Sequence, residues 1–176
     1  IFLYIIDMKK TMTKKIERVF VDMDGVLADF VTGVESADFL DKPLVTEQDY
    51  DNNKVSFINK RLFRNLPPME GMLDLIDFIK QNNLPWEILS AAGLTENRNL
   101  AVYDKTAWIR EHVCPYVAVT CTANGKKKAI FAKPNRVLID DRLDNIEAWE
   151  KAGGIGILHK SVAETIETLT SLIRSD

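Results

Sequence analysis

The chain has 176 residues, of which only two are cysteine and two histidine. Cys114 and Cys121 cannot build a disulfide framework or a thiolate metal cluster, so both are expected to be reduced and structural in a cytosolic protein. His112 and His159 have no partners at the spacing of a catalytic triad or a zinc site and are expected to be surface or structural residues. No glycine-rich phosphate loop of the Gly-x-Gly-x-x-Gly or Walker type is present, which leaves dinucleotide binding and ATP use without support. Gly153-Gly154 reads instead as a helix end turning into a strand. Long apolar runs are also missing. Ile1 to Ile6 is far too short to span a bilayer, and it is followed by an acid and then lysines, the reverse of a secretion signal. A formal net charge of -3 argues against a large nucleic-acid surface, although a local basic patch remains compatible with it.

What is present is an ordinary globular composition, 46% hydrophobic and 28% charged. This suits one main domain with a small insertion. Met12-Thr13-Lys14-Lys15 reads as an ordinary start. Residues 1–11 are therefore expected to be an extension outside the domain, the alternative being an extra strand or helix packed on it.

A β-branched and aromatic run, Arg18 to Val21, reads as a buried strand. Residues 29–68 show helix-like segments around Asp29–Leu40, Glu47–Tyr50 and Val55–Asn65, with Asp41-Lys42-Pro43 and Asp49-Tyr50-Asp51-Asn52-Asn53 as breakers. Met72, Leu75, Ile76 and Ile79 recur at helical spacing within Gly71–Asn82. Strands follow at Trp86–Leu89, Tyr116–Val119, Arg136–Ile139 and Ile155–Leu158. Between and after them come a helix at Asn97–His112 with Trp108 and Ile109 inward, a short basic helix or turn at Lys126–Ala132, and helices at Leu143–Ala152 and Ala163–Arg174. Such alternation predicts an α/β fold, a parallel sheet with helices on both faces.

Two strands end in acids. Asp22 and Asp24 are two residues apart, on the same side if the strand continues, and Gly25 allows a sharp turn after them. Asp140 and Asp141 follow the apolar run Val137-Leu138-Ile139. An acidic turn alone is common and inert, and Asp140 with Asp141 could merely cap the next helix. Two acid-tipped strands in one parallel sheet, however, bring their carboxylates to the same rim. Clustered carboxylates without a basic residue between them call for a proton or a divalent cation, and hard oxygen ligands suit Mg²⁺.

Asp22-Met23-Asp24-Gly25-Val26-Leu27 resembles the first motif of the haloacid dehalogenase (HAD) superfamily of phosphohydrolases, and Ile139-Asp140-Asp141-Arg142 resembles its fourth. The likeness is closest to the 5'(3')-deoxyribonucleotidases and their bacterial and phage relatives. Leu66 to Gly71, Ile88 to Ala92, Lys105 to Ile109 and Trp149 to Gly154 carry that closer match, and the resemblance runs from about Glu17 to about Leu172. It implies a HAD-like Rossmannoid three-layer α/β/α core over residues 12–28 and 69–176, with a small helical cap over residues 29–68, inserted after the first strand.

The resemblance also implies roles. Asp22 is the nucleophile, and Asp24 the general acid and then base. Mg²⁺ is held by Asp22, the backbone carbonyl of Asp24, Asp140 and, through water or by orientation, Asp141. Ser90 and the Ala91 N–H hold phosphoryl oxygens. The third-motif lysine is one of Lys126, Lys127 and Lys128, with Lys128 favoured over these and over Lys133. Lys105 matches another lysine of the nucleotidase pattern, and Arg142 either contacts substrate or pairs with a neighbouring acid. Among the aromatic residues Phe30, Phe39, Tyr50, Phe57 and Phe63, which can be the insert's own core or stack a base, Phe30 is the best placed for substrate. Arg61 and Arg64 read as a solvated helix face, the alternative being that they face the pocket. The expected activity is dephosphorylation of (deoxy)nucleoside monophosphates in the cytoplasm. The alternatives are another small phosphate, a nucleic-acid terminal phosphate, or a binding module without turnover. The partner expected is a small nucleotide, without a stable nucleic-acid or membrane partner; a homodimer is common among the relatives.

Overall fold

The computed structural model describes residues 16–40, 44 and 46–174. The expectations for residues 1–11, for Met12 as a start and for Asp41-Lys42-Pro43 as a breaker lie outside the described residues. In chain order the elements are β1 (Arg18–Val21), α1 (Phe30–Glu35), α2 (Glu47–Asn59), a 3₁₀ turn (Leu62–Arg64), α3 (Met72–Gln81), β2 (Trp86–Ala91), α4 (Arg98–His112), β3 (Val119–Thr122), a second 3₁₀ turn (Gly125–Phe131), β4 (Arg136–Asp140), α5 (Leu143–Lys151), β5 (Ile155–Leu158) and α6 (Val162–Arg174).

β1 lies at the centre of a five-stranded sheet of order β3-β2-β1-β4-β5, and every pairing is parallel. A parallel sheet must be covered on both faces, and the strand residues divide accordingly. Val19 and Val21 join the larger core with Leu75, Ile76 and Ile79 of α3, Trp108 and Ile109 of α4, and Leu169 of α6. Phe20 belongs to the opposite core with Leu89, Leu138, Ile146 and Trp149, where the Trp149 ring meets it edge-on at 5.3 Å. The helical spacing read in α3 is realised in full, since Met72, Leu75, Ile76 and Ile79 are all buried. Each such side chain contributes about 1.5–3 kcal/mol through burial. Among the described residues no helix is long and apolar enough to cross a membrane.

After β1 the chain makes a tight buried loop. The Met23 carbonyl accepts from the N–H groups of Val26, Leu27 and Ala28. The chain then leaves the sheet layer and returns alongside itself: Asp29 N–H donates to the Pro67 carbonyl, and Met69 N–H to the Leu27 carbonyl, both at 2.8 Å. This paired neck carries α1, α2 and the first 3₁₀ turn.

Within that insert three expectations are corrected. The helix from Asp29 stops at Glu35 instead of Leu40, where the Ser36 hydroxyl donates back to the Thr32 and Gly33 carbonyls, a bond that competes with helix propagation. The polar run Asp49–Asn53 is not a breaker but the first half of α2. Thr46 and Asp49 cap that helix reciprocally, each accepting from the other's backbone N–H, and such a box starts a helix that has little apolar face to recommend it. Nor does one helix run from Val55 to Asn65. The chain breaks after α2 at Arg61, whose φ of 60° is left-handed.

β3 is also displaced, from the expected Tyr116–Val119 to Val119–Thr122. The C-terminus of α4 is closed by the N–H groups of Val113 and Cys114 on the Ile109 carbonyl. Tyr116 is left 93% exposed, and pairing begins only at Ile88↔Val119. Both cysteines are free. His112 lies against the Trp108 ring. His159 is buried with Nδ1 2.8 Å from the Thr165 hydroxyl, and burial lowers its pKa.

Candidate active site

β1 and β4 run side by side to Val21↔Ile139, and the Asp22 N–H donates to the Ile139 carbonyl at 2.9 Å. The next residues, Asp22 and Asp140, therefore emerge together. Oxygens from Asp22, Asp140 and Asp141 lie within 4.8 Å of one another. Backbone and side-chain donors orient them: Met23 N–H on Asp22 Oδ1 at 2.7 Å, Arg142 N–H on Asp140 Oδ1 at 3.0 Å, and the Asn145 amide on both Asp140 oxygens. Lys128 is buried between two of the acids, its Nζ 2.7 Å from Asp22 Oδ2 and 2.6 Å from Asp140 Oδ2. Gly25 sits at φ +76°, and a Cβ there would collide with the Asp141 carboxylate. Glycine is thus required both for the turn and for the approach of the acid.

Three carboxylates and one ammonium leave a formal charge of about -2 on this floor, and the titration of its members reflects that. Burial, and then Asp22, raises the Asp140 pKa. Burial alone would lower Lys128, but Asp22 and Asp140 outweigh it and hold its pKa above the usual lysine value. Asp141 opens to the cavity, yet the enclosing protein, with Asp22 and Asp140, pushes it up to about 7. An all-oxygen donor set with this residual charge fits a hard divalent cation such as Mg²⁺.

The Asp24 carboxylate is held apart from this trio. Lys105, fully buried, donates from Nζ to Asp24 Oδ2 and to the Ser90 hydroxyl at 3.1 Å. Asp24 Oδ1 is buried without a hydrogen-bond partner, an oxygen that needs a proton or a donor. β2 pairs with β1 only as far as Ile88 but with β3 as far as Ala91. Ser90 and Ala91 therefore overrun the end of β1 and reach the level of the acidic loop.

These groups open into a cavity of about 830 Å³. Asp22, Asp24, Lys128 and Asp141 line its floor, and Ala91, Ala92 and Gly93 one side. The insert supplies Phe30, Tyr50, Phe57 and Phe63. Phe30 stacks on Phe63 at 6.1 Å and meets Phe57 edge-on at 5.8 Å. Phe57 is buried against Phe39 as well, so it belongs to the insert's own core, whereas Phe30 and Phe63 are half-buried and face the cavity. Lys54, Lys126, Lys127 and Arg142 also line it. A second hollow, of about 560 Å³, lies on the outer face of α4 among Tyr103, Thr106, Ala107, Arg110 and Glu111, away from the carboxylates.

Of the lysine candidates, Lys128 is the buried one, while Lys126, Lys127 and Lys133 are exposed. Arg142 pairs with Asp144 at 3.1 Å. Asp140 and Asp141 do not cap α5, which has no side-chain cap. The open helix face expected of Arg61 and Arg64 is replaced by two ion pairs to α4, the second of them at the surface. Arg61 forks onto the buried Asp104, and Arg64 pairs with Glu111. Long side chains with charged ends reach across to α4 because its acids lie within range, a relation invisible along the chain. Asn145 was not anticipated either. It is 4% exposed, and its side chain fills the space a Cβ at Gly125 would need. The available signal was a polar residue among the inward positions Ile146 and Trp149 of α5.

The family described as 5' nucleotidase, deoxy (pyrimidine), cytosolic type C protein (NT5C) matches residues 14–169. No curated protein matches the sequence. Solved structures similar in fold include a HAD-superfamily hydrolase from Ehrlichia chaffeensis (14% identity, TM-score 0.54, covering 91% of this chain and 98% of that one) and a hydrolase from Streptococcus pneumoniae TIGR4 (17%, 0.53, 89% and 99%). A HAD family hydrolase from Deinococcus radiodurans R1, solved with bound phosphate and sodium, is similar as well (12%, 0.52, 92% and 97%). At such identities the likeness is one of fold.

Proposed function

Because the chain belongs to the 5' nucleotidase, deoxy (pyrimidine), cytosolic type C family, we propose that it is a Mg²⁺-dependent phosphomonoesterase that dephosphorylates (deoxy)nucleoside monophosphates in the cytosol. One observation carries this reading: the acid tips of β1 and β4 converge on Lys128 at the floor of a cavity walled on another side by Phe30 and Phe63. A phosphate group suits the floor, and a nucleobase suits the aromatic wall.

In this reading Asp22 attacks phosphorus, the bond to the nucleoside oxygen breaks, and an aspartyl-phosphate forms. Asp24 gives a proton to the departing oxygen. Water then attacks the phosphorus of the intermediate, Asp24 takes the water's proton, and the Asp22 carboxylate and inorganic phosphate are released. Asp24 lines the cavity, and the Lys105 ammonium on its Oδ2 would orient its carboxyl group for this shuttle. Lys128, the Ser90 hydroxyl and the Ala91 N–H balance charge on the phosphoryl oxygens. Asp22, Asp140 and Asp141, with the Asp24 backbone carbonyl, would hold Mg²⁺, which when bound supplies positive charge against the charge developing on the phosphoryl group. The insert, acting as a cap, would keep bulk water out. Phosphate in the Deinococcus hydrolase is consistent with the same ligand class here.

A second reading, a phosphate at a nucleic-acid end, draws on Lys54, Lys126, Lys127 and Arg142 along the cavity, where further backbone phosphates would meet positive charge. Phosphate release from ribo- and deoxyribonucleoside monophosphates, sugar phosphates and a 5'-phosphorylated oligonucleotide, with Mg²⁺ and with EDTA, separates the readings. Mononucleotide turnover that needs Mg²⁺ and is abolished in a folded Asp22→Asn variant is the expected result. Turnover confined to another class replaces the substrate, and no turnover of any overturns the enzyme.

A further inference from the structure

We infer that the Arg61–Asp104 ion pair is a positioning pair for Lys105, clamping the turn that carries Phe63 over the ammonium that holds Asp24. The inference rests on the nucleotidase reading for its effect on turnover, but its structural content stands independently.

The two partners come from distant parts of the chain, and each adjoins a residue of the site. Asp104 immediately precedes Lys105, and Arg61 lies two residues before Phe63. The guanidinium grips Asp104 with two nitrogens: Nε is 3.0 Å from Oδ1 and 2.7 Å from Oδ2, and Nη2 is 2.5 Å from Oδ1. It also lies 5.8 Å from the Tyr103 ring. Asp104 is fully buried, whereas the Arg61 side chain is 43% exposed. Arg61 holds a left-handed backbone at φ 60°, which a side chain other than glycine adopts at some cost. That conformation turns the chain out of α2 and into the 3₁₀ turn. The Phe63 ring then stands 4.4 Å from Lys105 Nζ, stacks on Phe30 in the cavity and packs against the buried cluster of Ile58, Ala92 and Ala101. The clamp therefore joins the cavity wall to the cation behind the proton-shuttling acid.

Other contacts show why the segment would survive without the pair. The Trp108 indole donates to the Leu66 carbonyl at 2.8 Å, and Leu62 and Leu66 are buried in the main core. Loss of the fork should thus shift Phe63 and uncover Lys105 without unfolding the domain. Arg64, one residue beyond Phe63, pairs with the exposed Glu111 and provides a matched control on the same turn.

Two substitutions test the pair. Arg61→Lys keeps a cation near Asp104 but replaces a planar fork with a single point charge. Asp104→Asn keeps the shape and removes the buried charge, leaving the half-exposed Arg61 free to turn to water. Lysine acetylation in the folded protein, read residue by residue by mass spectrometry, reports cover over Lys105 with Lys128 as the internal reference. Both variants should acetylate Lys105 about tenfold faster than wild type or more, with Lys128 still protected. On whichever phosphomonoester the wild type hydrolyses, kcat should fall about tenfold or more while KM stays within about twofold. Phe63→Leu should give a similar kcat loss, and the double variant Arg61→Lys/Phe63→Leu should lose less than the sum of the two. Arg64→Lys should move neither readout. Wild-type protection of Lys105 in both variants overturns the inference, and so does an equal effect from Arg64→Lys. If the wild type hydrolyses no phosphomonoester, the substrate reading fails and acetylation alone decides the positioning role. If Asp104→Asn does not fold, Arg61→Lys carries the test.

Discussion

The floor of the cavity and its aromatic wall are built on opposite plans. The floor is assembled by the sheet: two neighbouring parallel strands end in register, and their carboxylates meet because the strands do. The wall is assembled by side chains spanning long stretches of sequence, Arg61 to Asp104, Arg64 to Glu111 and Asn97 to Asn59. A floor made this way is rigid and carries strong, poorly compensated charge. A wall made this way is held at separate points, any one of which can be loosened without dissolving the rest. Charge is thus concentrated where the backbone is tied into the sheet, and adaptability where the chain is pinned by individual contacts.

The sharpest way to break that contrast is at the floor. Lys128→Met should leave Asp22 and Asp140 buried against each other and cost about 3–5 kcal/mol of stability, together with phosphatase turnover. Denaturant unfolding should show the deficit in EDTA and a partial recovery with Mg²⁺. A smaller effect follows from pH. In metal-free protein Asp141 titrates at about 7 against its usual value of 3.8, and Asp140 is shifted in the same direction. These two carboxyl groups thus bind more protons in the folded than in the unfolded state between about pH 4 and 7, so the stability they contribute is lost as pH rises through 7. Unfolding midpoints in EDTA from pH 5 to 8 should decline, and Mg²⁺, competing with the proton, should flatten the decline. The smallest effect belongs to the wall. Thr46→Ala removes half of the capping box of α2 and should cost about 1 kcal/mol, with kcat on a small test phosphate nearly unchanged. A kcat loss there as large as that for Lys128→Met would erase the distinction between the two regions.

The same contrast governs what can be read from sequence. The acid pairs and the α3 spacing are local patterns: each is written within a few residues, and the parallel sheet converts them directly into position, whereas Lys128 is favoured among its lysine neighbours only through the family resemblance. Asp104 and Arg61 are 43 residues apart, and nothing near either announces the other. The polar start of α2 reads as a breaker because its stability comes from a cap and from Phe57 and Ile58 at the far end of the helix, not from its own face. β3 reads three residues early because Tyr116 and Val117 have strand propensity, while the register is set by Ile88 and Val119 across the sheet. Asn145 stayed hidden because a buried amide takes its meaning only from the carboxylate it orients.

The neck of the insert has a consequence for change over generations. Residues 27–29 and 67–69 are hydrogen-bonded to each other, Asp29 N–H to the Pro67 carbonyl and Met69 N–H to the Leu27 carbonyl, so the two ends of the excursion are delivered side by side by the sheet domain itself. The entropy of closing a chain between fixed ends grows slowly, by about 0.6 kcal/mol per doubling of length. A longer, shorter or foreign segment can therefore be grafted at this port with the catalytic floor left intact. Such a port lets one hydrolytic machine be refitted for new substrates by replacing a single continuous stretch of gene.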